Sequence, residues 1–101
     1  MSEQQIQSDI ISALTDLGAI PLRLNAGRGR YNQRLLPAGT PDVLAVLRGG
    51  RCLWIEVKGR DGAVRCVQEQ FHETLRFAGH TVIVARSVDD VLDALRDMGL
   101  Y

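Results

Sequence analysis

Residues 41–58, PDVLAVLRGGRCLWIEVK, decide the fold, because two apolar runs flank a Gly-Gly pair that is typical of a hairpin turn. The pattern predicts one strand over residues 42–47 and a second strand over residues 51–58. Apolar residues occupy both faces of each strand over most of its length. A hairpin that is apolar on both faces needs helices on both sides of its sheet, which indicates an α/β fold.

The length of the turn decides whether the charged residues at the open end of the hairpin meet. Glu56 and Lys58 are two residues apart and therefore share a face. A two-residue turn would pair Asp42 with Val57 and put Asp42 on the opposite face. A three-residue turn that begins at Arg48 would pair Asp42 with Glu56, and we favour it because it gathers apolar residues on one face. Those residues are Val43, Ala45, Leu47, Leu53, Ile55 and Val57.

In the favoured register, two acids and an amine cluster at one end of the hairpin. Opposite residues on paired strands have β-carbons about 4.5–5.5 Å apart, so Asp42 and Glu56 can share a divalent cation. Two carboxylates side by side repel each other, which raises a pKa unless a cation lies between them. The alternative is a plain ion pair between Glu56 and Lys58 at a strand end, with Asp42 as a turn residue.

The patterns on either side of the hairpin predict the element order α-β-β-β-α-β-α, with a mixed central sheet flanked by helices. The predicted elements outside the hairpin are a helix between Ser2 and Gly18, a strand over 20–25, a helix over 64–78, a strand over 81–85 and a last helix capped by Ser87. Residues 26–39 are rich in glycine and arginine and indicate a long loop. Arg28, Arg30 and Arg34 in that loop suit contacts to phosphate groups, and a solvated flexible loop is the alternative.

Two helical residues are placed to reach the charged cluster. Glu3 lies on the apolar stripe of the first helix, where a carboxylate costs free energy unless it is paired or bound to metal. The alternative is that Glu3 only stabilises the helix N-terminus. Gln68 lies at the edge of the apolar stripe of the second helix, so its amide can reach back to the cluster. His72 and His80 have no evident acidic partner, and we expect His72 at the helix surface.

Length and composition limit the class of protein. The chain has 101 residues, of which 46% are hydrophobic, and this predicts one globular domain. The formal net charge of zero argues against a protein that coats polyanions with its whole surface, although a local basic patch remains compatible. Cys52 and Cys66 belong to no Cys/His cluster and therefore indicate reduced thiols. No apolar run approaches the roughly 18 residues of a membrane span, so we expect a cytoplasmic protein without membrane contact.

Taken in order, these residues resemble the PD-(D/E)XK nuclease superfamily and specifically its VRR-NUC branch, the virus-type replication-repair nuclease domain. The segments that carry the resemblance are Gly39-Thr40-Pro41-Asp42, Glu56-Val57-Lys58, Gln68 with Gly79 eleven residues later, Glu3 at the start of the first helix, and Asn25-Ala26-Gly27. The resemblance covers nearly the whole chain, so residues 1–101 are expected to form one VRR-NUC-like domain. Its implied fold is a restriction-endonuclease-like αβββαβ core plus a C-terminal helix. We expect the domain to stand alone, whereas in many relatives it is the C-terminal domain of a larger repair nuclease.

The resemblance implies a metal-dependent endonuclease that hydrolyses phosphodiester bonds in DNA, with Mg²⁺ or Mn²⁺ as cofactor. The implied ligands are Asp42, Glu56, the backbone carbonyl of Val57, and Glu3 directly or through water. Lys58 would hold or deprotonate the attacking water, and Gln68 would orient the water or a phosphate oxygen. In-line attack would leave 5′-phosphate and 3′-hydroxyl ends. The implied DNA contacts are Asn25, Arg28, Arg30 and Arg34.

Small stand-alone relatives resemble Holliday-junction resolvases, which act as dimers. The resemblance therefore implies a homodimer that acts on branched, flapped or four-way DNA in a bacterial or phage-infected cell. Within the same chemistry, the alternative is a nicking or single-strand-specific nuclease. Two alternatives come from other classes of protein. One is a catalytically silent nuclease-fold module that binds branched DNA or a protein partner, and the other is a structural α/β domain whose charges form ion pairs.

Overall fold

A computed structural model describes residues 1–24 and 36–100 of the chain. The elements are α1 (Glu3–Asp16), β1 (Ile20–Arg23), β2 (Val43–Val46), β3 (Cys52–Val57), α2 (Cys66–Phe77), β4 (Thr81–Ala85) and α3 (Val88–Asp97). The predicted α/β class and the αβββαβ order with a C-terminal helix are confirmed. The second helix begins later than predicted, because Arg65 keeps an extended backbone at its N-cap.

The four strands form one mixed sheet in the order β1-β2-β3-β4. The pairs β1-β2 and β2-β3 are antiparallel, whereas β3 and β4 are parallel. The parallel pair requires a crossover, and α2 supplies it. A hairpin joins β3 to β2 and a crossover joins β3 to β4, so the sheet is mixed.

The register of the hairpin is the one that the three-residue turn predicts. Val43 is opposite Ile55, and the same register places Asp42 opposite Glu56 beyond the last paired residues. The turn is a single 3₁₀ turn over Arg48–Gly50, and both of its glycines have positive φ, 75° and 70°. Glycine adopts such angles without steric cost, so the sequence at the turn determines which side chains meet at the far end.

One face of the sheet packs against α1 and α3 and forms the apolar core. Side chains from both helices and from all strands except β1 belong to it, including Ile10, Leu14, Val43, Ala45, Leu53, Ile55, Ala85 and Leu95, which are 0–1% exposed. Ser2 caps α1 as predicted, because its Oγ accepts a hydrogen bond from the backbone N–H of Gln5. Leu17 is the C-cap residue of α1 and is 39% exposed, so the buried stripe of the helix ends at Leu14.

The opposite face of the sheet is only partly covered. Helix α2 contacts β4 and lies over the end of β3 that carries Glu56. Beyond the reach of α2, Ile20, Leu22 and Val46 are 59%, 43% and 38% exposed. Among the described residues, helices therefore lie on both sides of β3 and β4, whereas β1 and β2 have helices on one side. Within the described residues, no helix is long and apolar enough to cross a membrane.

Candidate active site

The first turn of α2 fixes the side chain of Gln68. Its Oε1 accepts a hydrogen bond of 2.9 Å from the backbone N–H of Arg65, as in the reciprocal half of a capping box. That bond orients the amide so that its donor, Nε2, faces Glu56. Nε2 lies 3.4 Å from Glu56 Oε2. The sequence therefore placed Gln68 correctly beside the acid cluster, and its catalytic role stays a prediction.

Glu56 is the buried acid at the centre of the cluster, and only 1% of it is exposed. Its Oε1 lies 3.1 Å from Nε2 of His72. Gln68 and His72 are four residues apart on α2 and therefore share one helix face, which meets both oxygens of the carboxyl group. A carboxyl group at this depth is tolerated only with such partners, because unpaired burial of a polar group costs several kcal/mol, on the order of 2–7.

Asp42 lies beside Glu56, just before β2 begins. Its Oδ2 accepts a hydrogen bond of 2.7 Å from the backbone N–H of Val57, which ties the start of β2 to the end of β3. The side chains of Asp42 and Glu56 are also in hydrogen-bonding contact with each other. The two acids therefore lie on the same side of the sheet, where the hydrogen bond and the charge of Asp42 both favour the protonated form of Glu56.

This arrangement raises the pKa of Glu56 from 4.5 to about 8. Burial is the largest cause, followed by the hydrogen bond and the charge of Asp42, and the charge of Glu3 adds to them. The positive charge of Lys58 acts in the opposite direction. Glu56 is therefore held largely in its protonated form near pH 7, and a cation between the two acids would displace that proton.

The prediction for His72, a position at the helix surface without an acidic partner, is wrong. It is 2% exposed and contacts Glu56 directly. Burial lowers the pKa of His72 below 6.5, and the charges of Arg76 and Lys58 act in the same direction. The contact between His72 and Glu56 is thus a hydrogen bond between neutral groups near pH 7. The signal that could have found it is the four-residue spacing from Gln68.

Lys58 lies one residue beyond β3 and is 8% exposed. Its backbone N–H donates to the carbonyl of Ala85 at 3.0 Å, which continues the pairing of β3 with β4. Among the described side chains, two pairs lie within ion-pair distance: Glu56 with His72, and Asp93 with Arg96. The described part of the chain therefore lacks the Glu56–Lys58 ion pair of the alternative interpretation, and Lys58 acts on Glu56 through its nearby charge.

Glu3 lies near the cluster, and its charge acts on the carboxyl group of Glu56. The side chain is exposed, so the prediction that it faces the core is wrong, and α1 first buries a residue at Ile6. It lies against the turn after β3, where a β-carbon on Gly62 would be 3.4 Å from Glu3 Oε2. Arg86 holds that turn, because its Nη1 donates to the carbonyls of Gly59 and Gly62 at 2.6 and 2.7 Å. No pattern in the sequence points to this role of Arg86.

The loop before Asp42 packs tightly on α2. Gly39 has a φ of 89°, and a β-carbon there would be 2.4 Å from the carbonyl oxygen of Val67. Only glycine allows this approach, which sets the distance between Asp42 and the helix that carries Gln68. The predicted DNA contacts Asn25, Arg28, Arg30 and Arg34 lie outside the described residues.

The donor atoms at this end of the sheet suit a small hard cation. Two carboxylates and the backbone carbonyl of Val57 are oxygen ligands of the kind that Mg²⁺ and Mn²⁺ prefer. Among residues 1–24 and 36–100, no three His, Cys, Asp or Glu side chains converge as a metal site. Two carboxylates and one backbone carbonyl suit Mg²⁺ better than Zn²⁺. Mg²⁺ usually keeps several waters and is held by one or two carboxylates, whereas Zn²⁺ prefers four protein ligands rich in Cys and His.

The mixed sheet carries two acids at one end and a lysine two residues beyond the second acid. A solved structure described as "VRR_NUC domain" is similar to this chain with a TM-score of 0.73 and 26% identity, over 96% of this chain and 97% of that one. A second, described as "VRR_NUC domain protein", has a TM-score of 0.71 and 21% identity, over 95% and 86%. No family model and no curated protein matches the chain. The structural similarity supports a VRR-NUC domain, as the sequence predicted.

Proposed function

We propose that the domain is a divalent-metal-dependent endonuclease that hydrolyses phosphodiester bonds in DNA. The observation that carries the proposal is the contact between Asp42 and buried Glu56, on one side of the sheet. A structural domain gains nothing from placing two acids together, because burial and the neighbouring Asp42 make the ionised form of Glu56 costly. A metal-binding domain gains a preformed pair of ligands.

Asp42, Glu56 and the backbone carbonyl of Val57 would hold Mg²⁺ or Mn²⁺. The hydrogen bond from the Val57 N–H already fixes one oxygen of Asp42, so the carboxylate enters the site in a defined orientation. Glu3, which lies against the adjoining turn, would bind through water. When bound, such an ion polarises a phosphate oxygen and lowers the pKa of a water molecule.

Lys58 and Gln68 would act on the phosphate and on the water that attacks it. Lys58 follows Glu56 on the same face of the strand, so its ammonium group can hold the attacking water and neutralise the charge that develops on phosphate oxygens. Gln68 already donates toward Glu56 and has its amide orientation fixed by Arg65. From that position it would orient the water or a phosphate oxygen. In-line attack would leave 5′-phosphate and 3′-hydroxyl ends.

The substrate that we propose is branched DNA, such as a flap or a four-way junction, and the acting form is a homodimer. The chain has 101 residues and a net charge of zero, so one copy offers little basic surface for gripping a long duplex. Two copies related by a two-fold axis would present two sites for paired cuts. Asn25, Arg28, Arg30 and Arg34 would contact phosphates beside the cut.

Incubation with labelled linear, flapped and four-way DNA, in Mn²⁺ and in EDTA, tests this function. We expect wild-type protein to cut at least one branched substrate in Mn²⁺ and none in EDTA. Lys58→Ala is expected to lose cleavage while still binding Mn²⁺, because Lys58 is not a ligand. Failure to cut any of the three substrates in Mn²⁺ would overturn the proposal. Binding to branched DNA in EDTA without cleavage in Mn²⁺ would support a silent binding module instead.

A further inference from the structure

His72 contacts the acid cluster but has no part in the function proposed above. It is 2% exposed, and its ring nitrogen Nε2 lies 3.1 Å from Oε1 of Glu56. Gln68, one helical turn earlier, contacts the other oxygen of Glu56 at the longer distance of 3.4 Å. One face of α2 therefore presents a separate nitrogen to each oxygen of the same carboxyl group.

A carboxylate that binds a cation through one oxygen needs a donor for the other oxygen. Partners of this kind orient the ligand, and their loss typically costs 10–100-fold in metal affinity or activity. A neutral imidazole carries one N–H, and from Nε2 it can donate that proton to Oε1 of Glu56. The second oxygen, with its longer contact to Gln68, is then the one left to turn toward the cation.

We infer that His72 is a positioning residue, which fixes the Glu56 carboxylate for metal binding by donating its Nε2–H to Oε1. The inference rests on the proposed function, since it presupposes that Glu56 binds a divalent cation. His72 itself would touch neither the metal nor the DNA. It acts through Glu56, from the buried side of the carboxylate.

The second histidine of the chain provides a matched control. His80 lies just before β4, where its Nδ1 accepts a hydrogen bond of 3.2 Å from Nε1 of Trp54. The same nitrogen lies 3.7 Å from Sγ of Cys52. His80 is exposed and does not contact Glu56 in the described part of the chain. Its replacement changes a histidine of similar chemistry without changing the acid cluster.

Calorimetric titration with Mn²⁺ tests the inference in four full-length proteins: wild type, His72→Phe, His72→Gln and His80→Phe. His72→Phe keeps an aromatic ring but has no donor, and we expect its affinity for Mn²⁺ to fall by about 10–100-fold. His72→Gln restores a side-chain N–H and is expected to recover most of the affinity. His80→Phe is expected to bind Mn²⁺ as wild type does. Circular dichroism establishes that each variant is folded.

Nuclear magnetic resonance of the wild-type ring nitrogens tests the same point without a variant. With Mg²⁺ bound, Nε2 of His72 is expected to carry the proton. An unprotonated Nε2 in the Mg²⁺-bound protein would overturn the inference even if His72→Phe does not fold.

The two proposals fail in different ways. Equal Mn²⁺ affinity in wild type and folded His72→Phe would overturn the positioning role and leave the proposed function intact. Equally weak binding by folded His72→Phe and His72→Gln would show that a restored side-chain donor does not restore metal binding, which also overturns the role. Absence of Mn²⁺ binding by wild type would overturn the proposed function itself and the inference with it.

Discussion

The two faces of the sheet are buried in different ways. On the face that packs against α1 and α3, Val43 and Leu53 are 0% exposed among other apolar side chains. On the opposite face, the most buried groups are Glu56 and His72, at 1% and 2% exposed. Apolar burial stabilises a fold in proportion to its area, whereas polar burial costs free energy that hydrogen bonds only offset. The first face therefore stabilises the fold. The second face holds buried polar groups together, although the stability of the fold does not require them.

The largest expected effect separates chemistry from stability on the polar face. Asp42→Asn removes the charge of a proposed metal ligand but keeps an oxygen that can accept the hydrogen bond from Val57. We expect DNA cleavage to fall about a thousand-fold or more, because a lost metal ion forfeits several kcal/mol of charge stabilisation. The free energy of unfolding should stay the same or rise, since repulsion with Glu56 is relieved. Parallel cleavage assays and urea denaturation measure both. Cleavage by Asp42→Asn at the wild-type rate would contradict the claim that the polar face carries the chemistry.

The reverse result is expected on the apolar face. Leu53→Ala leaves a cavity in the close-packed core and should lower the free energy of unfolding by about 2–5 kcal/mol. The fluorescence of Trp54, the single tryptophan, follows unfolding in urea. Cleavage per folded molecule should stay at the wild-type level, because Leu53 points away from the acids. A loss of stability below about 1 kcal/mol would show that this face is not the main source of stability.

A smaller effect tests the contact between the loop before Asp42 and α2. Gly39 and Gly79 have almost the same φ, 89° and 91°, but only at Gly39 would a β-carbon meet another atom within 4 Å. Gly79→Ala should cost about 1–2 kcal/mol from backbone strain alone. Gly39→Ala should cost more and should also lower cleavage, because Asp42 moves relative to Gln68. Thermal unfolding and cleavage rates of the two variants measure this. Equal costs and equal cleavage would show that the close approach is unimportant.

The smallest effect is a pH dependence of the metal-free protein. Folding raises the pKa of Glu56 from 4.5 to about 8, so between these values the folded state holds the extra proton and stability falls as pH rises. Folding lowers the pKa of His72 from 6.5, so its contribution is lost as pH falls below 6.5 and opposes that of Glu56 there. Above pH 6.5 only the Glu56 effect remains. We expect stability to drop by on the order of 1 kcal/mol between pH 6.5 and 8.

Urea denaturation in EDTA at the two pH values measures this drop, and Glu56→Gln is the control. The amide cannot titrate, so the drop should disappear in that variant. Added Mn²⁺ should stabilise the wild-type protein more at pH 8 than at pH 6.5, because the cation competes with a proton for the same carboxylates. Stability that rises from pH 6.5 to pH 8 in the wild-type protein would contradict the assigned burial of Glu56.

The local signals in the sequence were sufficient for the strand register and for the meeting of Asp42 with Glu56. Side chains alternate strictly along a strand, and a turn with two glycines leaves few choices of pairing. Gln68 was also placed correctly beside the acids, because its position at the edge of the apolar stripe of the second helix turns it toward the sheet. These inferences depend on short distances along the chain and on steric rules that hold in most proteins.

The sequence could not predict how α2 lies across the sheet. That orientation buries His72 against Glu56 and leaves Ile20 and Leu22 exposed, and it depends on packing among residues far apart in the chain. The exposure of Glu3 has a related cause, since its position on the helical stripe says nothing about where the core ends. A stripe identifies the face of a helix that turns inward, but its last members can lie beyond the sheet that they would cover.

The most direct test of the account is a calorimetric titration of wild type and Glu56→Gln with Mn²⁺ at pH 7, repeated in buffers of different ionisation enthalpy. We predict one ion per chain for wild type, with a heat that depends on the buffer because Glu56 releases its proton as the ion binds, and no binding for Glu56→Gln. Binding of equal strength by both proteins, or no binding by wild type, would contradict the claim that Asp42 and Glu56 form a site for a divalent cation.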